Sequence, residues 1–289
     1  MSDLIAYATR VTITDGATGT QLAARGLPPG APPELWNAQN PDAVADVARA
    51  YAQAGAQIVL TNTFGANSFV LGAHGLGERA AELAEKGAAL ARKGAAGAAR
   101  VFGSIGPTGK IVMMQEVPEE DIELAFAQTA TGLAHGGAEA IVLETFNELD
   151  ELELALQAVR RVCSLPVVAC MTFGSGPDRS STMMGNTPGD LARVAVEGGA
   201  SAVGANCGLG PDGYVRVAGL LKAACALPLW IKANAGLPQV DASGKTTFPM
   251  GPRAFAASAK ALREAGANFI GGCCGTTPEH IAALRGCLE

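Results

Sequence analysis

Three cysteines frame the chemistry open to this chain. Cys207 stands in Gly204-Ala205-Asn206-Cys207-Gly208, and Cys273 and Cys274 stand side by side in Gly271-Gly272-Cys273-Cys274-Gly275. Thiolates are soft ligands that favour zinc, and three of them around one ion leave a fourth position open, as in catalytic rather than structural sites. A fourth sulfur arriving there would be activated as a thiolate. Adjacent residues of a regular strand point to opposite faces, so Cys273 and Cys274 can share an ion only where a strand ends or bulges, which the flanking glycines permit. The same residues also admit packed core thiols, a vicinal disulfide or a closed four-cysteine site. The last would need Cys163, Cys170, Cys225 or Cys287, which fall on predicted helices or in a strand interior and are assigned to the core.

Further polar residues end apolar runs: Asp15, Asn62 with Thr63, Glu144, Asn206 and Asn234. The C-terminal segment has a rival reading, in which Gly271-Gly272 and Gly275-Thr276-Thr277 ahead of a helix at Pro278 cradle an anion on backbone N–H groups. Thr276 and Glu279 would otherwise form a capping box, leaving His280 on a helix face.

Such residues need a frame that brings distant strand ends together. A helix-like segment closing in Gly-Ala and passing at once into a β-rich run occurs at Ala54-Gly55-Ala56, Gly136-Gly137-Ala138, Gly198-Gly199-Ala200 and Ala265-Gly266-Ala267. Each glycine sits where a helix C-terminus favours a left-handed residue. Runs at 11–14, 101–105, 167–171 and 229–233 fill the gaps and bring the strand count to eight. Asn40-Pro41, Thr187-Pro188, Gly251-Pro252 and Thr277-Pro278 read as helix starts. Strands apolar on both faces, alternating with amphipathic helices over 43–51 and 149–159, indicate a parallel sheet covered by helices. The expected fold is a single-domain α/β structure over residues 1–289, a (β/α)8 TIM barrel, with its chemistry at the C-terminal strand ends. Stretches 65–76, 174–186 and 236–249 would be loops overhanging that mouth.

Composition narrows the function. With 21 Lys+Arg against 27 Asp+Glu and no basic cluster, nucleic acid is not an expected partner. No apolar run approaches the roughly 20 residues of a membrane span, and the first ten residues lack a signal-peptide pattern. Seven scattered cysteines fit a reducing compartment, so a cytoplasmic location is expected.

Asp15-Gly16-Ala17-Thr18-Gly19-Thr20, Thr61-Asn62-Thr63-Phe64-Gly65-Ala66-Asn67, Glu144-Thr145-Phe146, Gly204-Ala205-Asn206-Cys207 and Gly271-Gly272-Cys273-Cys274-Gly275 occur in this order. The set resembles the homocysteine S-methyltransferase family from about Val11 to Leu284. The resemblance implies a (β/α)8 barrel, zinc on Cys207, Cys273 and Cys274, and homocysteine as methyl acceptor. It also implies that Asp15 and Glu144, the candidate catalytic carboxylates, hold the amino-acid end of homocysteine, as two carboxylates can around one ammonium. Backbone N–H groups of Gly16 and Ala17 are candidates for its carboxylate, and Asn62, Thr63 and Asn206 either orient the ligand or brace loops.

The methyl donor is less defined. A quaternary ammonium such as betaine wants an aromatic box, whereas aromatic residues make up 5% of the chain and Gly65 and Thr145 stand where betaine-using relatives carry tyrosines. The glycine-rich second motif and Lys232-Ala233-Asn234-Ala235-Gly236-Leu237-Pro238 are most similar to the homocysteine module of cobalamin-dependent members. That similarity implies methylcobalamin as donor, carried by separate corrinoid- and methylfolate-binding proteins or domains. S-methylmethionine is the self-contained alternative. Two readings outside methyl transfer are a zinc-thiolate redox or metal-buffering barrel, and a phosphate-binding lyase or isomerase using Asp15 or Glu144 as base.

Overall fold

The computed structural model describes Leu4, residues 10–240 and residues 246–288. Among these, eight parallel strands alternate with eight principal helices: β1 (Thr12–Ile13), α1 (Pro41–Gln53), β2 (Ile58–Leu60), α2 (Ala80–Ala95), β3 (Arg100–Ile105), α3 (Glu119–His135), β4 (Ala140–Phe146), α4 (Leu149–Val162), β5 (Val167–Met171), α5 (Pro188–Glu197), β6 (Ala202–Cys207), α6 (Pro211–Ala224), β7 (Leu229–Ala233), α7 (Pro252–Glu264), β8 (Ala267–Gly272) and α8 (Pro278–Leu288). Strands pair in chain order, β8 pairs with β1, and a parallel bridge between Thr14 and Ile58 joins β1 to β2. The sheet thus closes into the expected (β/α)8 barrel.

Local chemistry explains the boundaries. Gly55, Gly137, Gly199 and Gly266 all have positive φ, the left-handed conformation that stops a helix and turns the chain into the next strand. Pro41, Pro188, Pro252 and Pro278 each begin a helix, where a missing N–H costs nothing. Thr187 closes a capping box with Asp190, whereas Asn40 makes no side-chain cap.

Side chains alternate between the barrel lumen and the helix layer. Phe102, Ala140, Val142, Val168, Cys170, Ala202, Trp230 and Phe269 pack together with Leu4 in the lumen. Ile141, Leu143, Val203 and Ile231 join the larger core under the helices. One step of two residues toward the C-terminal end, the lumen becomes polar: Ser104 follows Phe102, Glu144 follows Val142, Asn206 follows Gly204 and Lys232 follows Trp230. The barrel's apolar plug is therefore the floor of the site.

The loop after β2 contains a short helix, Ser68–Gly72, and the loop after β7 pairs Gln239–Val240 with Thr246–Thr247; its residues 241–245 lie outside the described set. Among the described residues no helix is long and apolar enough to cross a membrane. Of the cysteines expected in the core, Cys170 is fully buried but Cys163, Cys225 and Cys287 are half-buried. Cys163 and Cys225 take extended backbone at the ends of α4 and α6 and pack against the edge of the larger core.

Candidate active site

β8 ends at Gly272, so Cys273 and Cys274 lie just beyond the strand in a turn that frees them from the alternation of faces. The Cys273 N–H donates to Ala233 O at 2.7 Å and the Ala235 N–H to Cys274 O at 3.0 Å, tying that turn to the end of β7. Cys207 ends β6 in the left-handed region with φ 62°, a strained conformation for a residue with a Cβ. The Tyr214 hydroxyl, reaching back from α6, bonds the carbonyls of Asn206 at 2.9 Å and Cys207 at 2.7 Å and braces that turn. The sulfurs of Cys207, Cys273 and Cys274 all lie within 4.8 Å of one another, and Cys207 Sγ stands 3.8 Å from Cys274 Sγ. A tetrahedral zinc with Zn–S bonds of about 2.3 Å has an edge of about 3.8 Å between sulfurs. Among the described residues no further cysteine joins the cluster, which leaves a closed four-cysteine site without its fourth ligand.

Without a metal the three thiols share negative charge unevenly. Hydrogen bonds from Cys273 and Cys274 pull Cys207 down to about 3. The same bond to Cys207 pushes Cys274 up to about 12 and raises Cys273 well above an ordinary thiol. The side chain of Asn234 also favours the Cys207 thiolate.

The thiols open onto a cavity of about 690 Å³ at the C-terminal mouth, lined also by Gly16, Ala17, Asn62, Thr63, Glu144 and Lys232. Glu144 accepts from Ser104 Oγ at 2.5 Å, and burial raises its carboxyl above the usual range, partly opposed by the charge of Lys232. Thr145 beside it has φ 68°, unusual for a β-branched residue. Asn206 holds it there: Asn206 Oδ1 accepts the Thr145 N–H at 2.8 Å and Nδ2 donates to Thr145 Oγ1 at 2.7 Å.

The remaining candidates are placed less directly. Asp15 and Asn206 lie behind the cavity wall rather than in it. Asp15 forms a buried ion pair with Lys232, and its Oδ2 accepts the Leu60 N–H at 2.7 Å. Both expected carboxylates are thus at the mouth, but one is already matched by a cation. Asn62 donates to Pro33 O at 2.7 Å and Asn37 Oδ1 at 2.9 Å, and Thr63 Oγ1 donates to Ser104 O at 2.7 Å. With Asn206, they have the geometry of braces. Of the two backbone donors, Ala17 N–H is engaged by Thr276 Oγ1 at 3.1 Å, while among the described residues Gly16 N–H has no acceptor.

Thr276 and Glu279 form no capping box. Thr276 Oγ1 instead donates to Cys273 O at 2.7 Å, and Glu279 accepts from Thr277 Oγ1. A Cβ on Gly16 would fall 2.6 Å from Thr276 Oγ1, so glycine is what lets the first and last strand ends approach. The anion-cradle reading weakens for the same reason: the N–H groups of Gly272, Cys273, Thr276 and Thr277 all have acceptors within the protein. His280 is a buried helix residue, with Nε2 2.9 Å from Met250 O and its ring edge-on to Phe255.

Lys232 and Ser104 were not singled out as site residues from the sequence. The available signal was a lysine inside the otherwise apolar run Leu229-Trp230-Ile231-Lys232-Ala233, in a strand buried on both faces.

Comparison with known proteins agrees with this architecture. Residues 12–288 match the family model described as homocysteine S-methyltransferase. The methionine synthase of Mycobacterium tuberculosis is 36% identical over 293 residues, which are 94% of this chain and 24% of that protein. The chain thus spans about a quarter of that relative. Betaine–homocysteine S-methyltransferase 1 of Danio rerio is 29% identical over 95% of this chain and 72% of its own length. Among solved structures, the metallated form of the homocysteine methyltransferase MmuM from Escherichia coli superposes with a TM-score of 0.78 at 26% identity, covering 96% of both chains. Its oxidized form gives 0.79 at 25% identity, covering 96% of this chain and 95% of the other. By the family match along nearly its whole length, the chain belongs to the homocysteine S-methyltransferase family.

Proposed function

We propose that this chain methylates the thiol of homocysteine to give methionine, with zinc held by Cys207, Cys273 and Cys274. The observation that carries this reading is the meeting of three thiols in the wall of a cavity that Glu144 also lines. The donor set fits zinc, being three soft ligands at tetrahedral spacing with room for one more. Bound there, zinc would keep an acceptor thiol deprotonated at neutral pH, well below the roughly 8.5 of a free thiol.

The chain's own residues bind and orient. Glu144 receives the acceptor's ammonium, whose charge offsets the burial that disfavours the ionised carboxylate. Ser104 and Asn206 fix the direction of Glu144, and Tyr214 fixes Cys207, so sulfur and ammonium anchor the acceptor at two points. An apolar wall including Ala31, Pro32 and Leu60 reduces water around the reacting sulfur. In the transfer a bond forms between that sulfur and the methyl carbon, while the donor's bond to the methyl breaks and its electron pair returns to the donor.

For the donor we favour a methylcorrinoid presented by separate corrinoid- and methylfolate-binding partners or domains. Support comes from similarity to methionine synthases of which the chain covers a quarter. Among the described lining residues Phe64 is the one Phe, Tyr or Trp, too few for a quaternary-ammonium box. A small sulfonium such as S-methylmethionine, which needs no carrier domain, is the second reading, favoured by the match over 96% of the length of a homocysteine methyltransferase of similar size. Incubating the zinc-loaded protein and homocysteine separately with methylcobalamin, S-methylmethionine and betaine tests both: methionine should form with one of the first two. Methionine from none of the three would contradict the reading.

A further inference from the structure

Lys232 carries the one ammonium group lining the thiol cavity among the described residues, and it is 2% exposed. It stands in the lumen above Trp230, level with Asn206 on one neighbouring strand and Gly271 on the other. An ammonium has three donors. Lys232 Nζ directs two of them at Asp15, to its backbone oxygen at 3.0 Å and to Oδ1. Among the described residues the third has no acceptor, although Lys232 lines the cavity.

The charges of the mouth can then be matched to a ligand. Asp15 is neutralised by Lys232 and further occupied by the Leu60 N–H, so it has little to offer a substrate ammonium. Of the two carboxylates that line the cavity, Glu34 accepts the Gly65 N–H at 2.7 Å, and Glu144 faces the same space as Lys232 beside the thiols. Glu144 can take the ammonium of a zwitterion, and the remaining N–H of Lys232, whose charge is shared with Asp15, can donate to its carboxylate, whereas two unpaired carboxylates would suit its ammonium alone. Gly16, also in the wall, adds a backbone N–H without an acceptor among the described residues.

We propose that Lys232, together with the Gly16 N–H, binds the α-carboxylate of the acceptor, and so selects amino-acid thiols over simple aminothiols. The inference rests on the acceptor assigned under Proposed function. It changes the job of Asp15, which becomes the residue that holds Lys232 in place.

The test compares homocysteine with 3-aminopropane-1-thiol, the same molecule without its carboxylate. Affinities are measured by titration calorimetry on zinc-loaded wild type, Lys232→Met and the double variant Asp15→Asn/Lys232→Met. The double variant removes both charges, so a loss caused only by an unpaired Asp15 is separated from loss of a carboxylate contact. Wild type should prefer homocysteine by about tenfold or more, and both variants should lose most of that preference, keeping only what the Gly16 N–H supplies. If the variants keep the wild-type preference, or weaken both thiols equally, Lys232 serves only to balance Asp15 and the inference is overturned. If wild type binds neither thiol, the homocysteine reading itself falls and takes the inference with it.

Discussion

Asn206 grips Thr145 by both its main chain and its side chain, accepting the Thr145 N–H at 2.8 Å and donating to Thr145 Oγ1 at 2.7 Å across 61 positions of sequence. The grip keeps Thr145 in the left-handed region, a conformation that costs of order 1–3 kcal/mol and persists only when neighbours impose it. Thr145 is bonded to Glu144 and Asn206 to Cys207, so one amide joins the acidic side of the site to its thiols. Asn206→Ala should destabilise the fold by about 1–3 kcal/mol in chemical denaturation and lower methyl transfer by about tenfold or more through misplacement of Glu144. Asn206→Asp should not rescue transfer, because it sets a second carboxylate against Glu144. Wild-type turnover in either variant would remove the positioning role.

Glu144→Gln keeps the shape of the side chain and removes its charge. Hydrogen bonds to charged groups contribute about 1.5–3 kcal/mol, so homocysteine should bind roughly 10- to 150-fold more weakly, with zinc content unchanged. The variant should also discriminate less between homocysteine and 4-sulfanylbutanoate, which lacks the amine. Calorimetry with both thiols reads this directly, and an unaltered preference would place the ammonium elsewhere.

Metal uptake should be linked to protons. Near neutral pH the metal-free cluster holds a thiolate on Cys207, at about 3, while Cys274, at about 12, and the raised Cys273 are protonated. A three-thiolate metal site must displace the protons of Cys273 and Cys274, so loading should release about two protons per ion. Affinity should therefore climb as pH rises through the neutral range and fall on acidification. Zinc titrations in buffers of different ionisation enthalpy count those protons; a release near zero would contradict the shared-thiolate picture.

Asp15→Asn should be primarily a stability lesion. Breaking a buried ion pair from one side leaves the other charge uncompensated and typically costs about 3–5 kcal/mol. Urea denaturation of the metal-free protein should show a loss of that size, with partial recovery when Lys232→Met is added. Unchanged stability would mean that the pair contributes no more than an exposed one.

Much of this was legible in the sequence because it depends on local rules. Gly55, Gly137, Gly199 and Gly266 mark helix ends through a conformation that glycine adopts without strain, the prolines mark helix starts, and four further β-rich runs fill the gaps, so eight strand–helix units could be counted without contacts. The three thiols were legible through their glycine surroundings, which announce a strand that ends. What escaped were relationships set by closure of the barrel. Lys232 meets Asp15 across 217 positions, and Thr276 turns from its own helix to Ala17 across 259. No local pattern distinguishes a carboxylate awaiting a substrate from one already paired. The lumen's change from apolar to polar at Ser104, Glu144, Asn206 and Lys232 likewise becomes visible only once strand register aligns the four.

The proposed reaction requires that Cys207, Cys273 and Cys274 hold one zinc with a position left for the acceptor's sulfur. X-ray absorption at the zinc edge of reduced, zinc-loaded protein, recorded before and after adding homocysteine, measures that most directly. Three sulfur neighbours plus one light atom should become four sulfurs with homocysteine, and the zinc signal should be lost when any of the three cysteines is changed to serine. A sulfur shell that does not change on adding homocysteine, or zinc retained in all three serine variants, would contradict it.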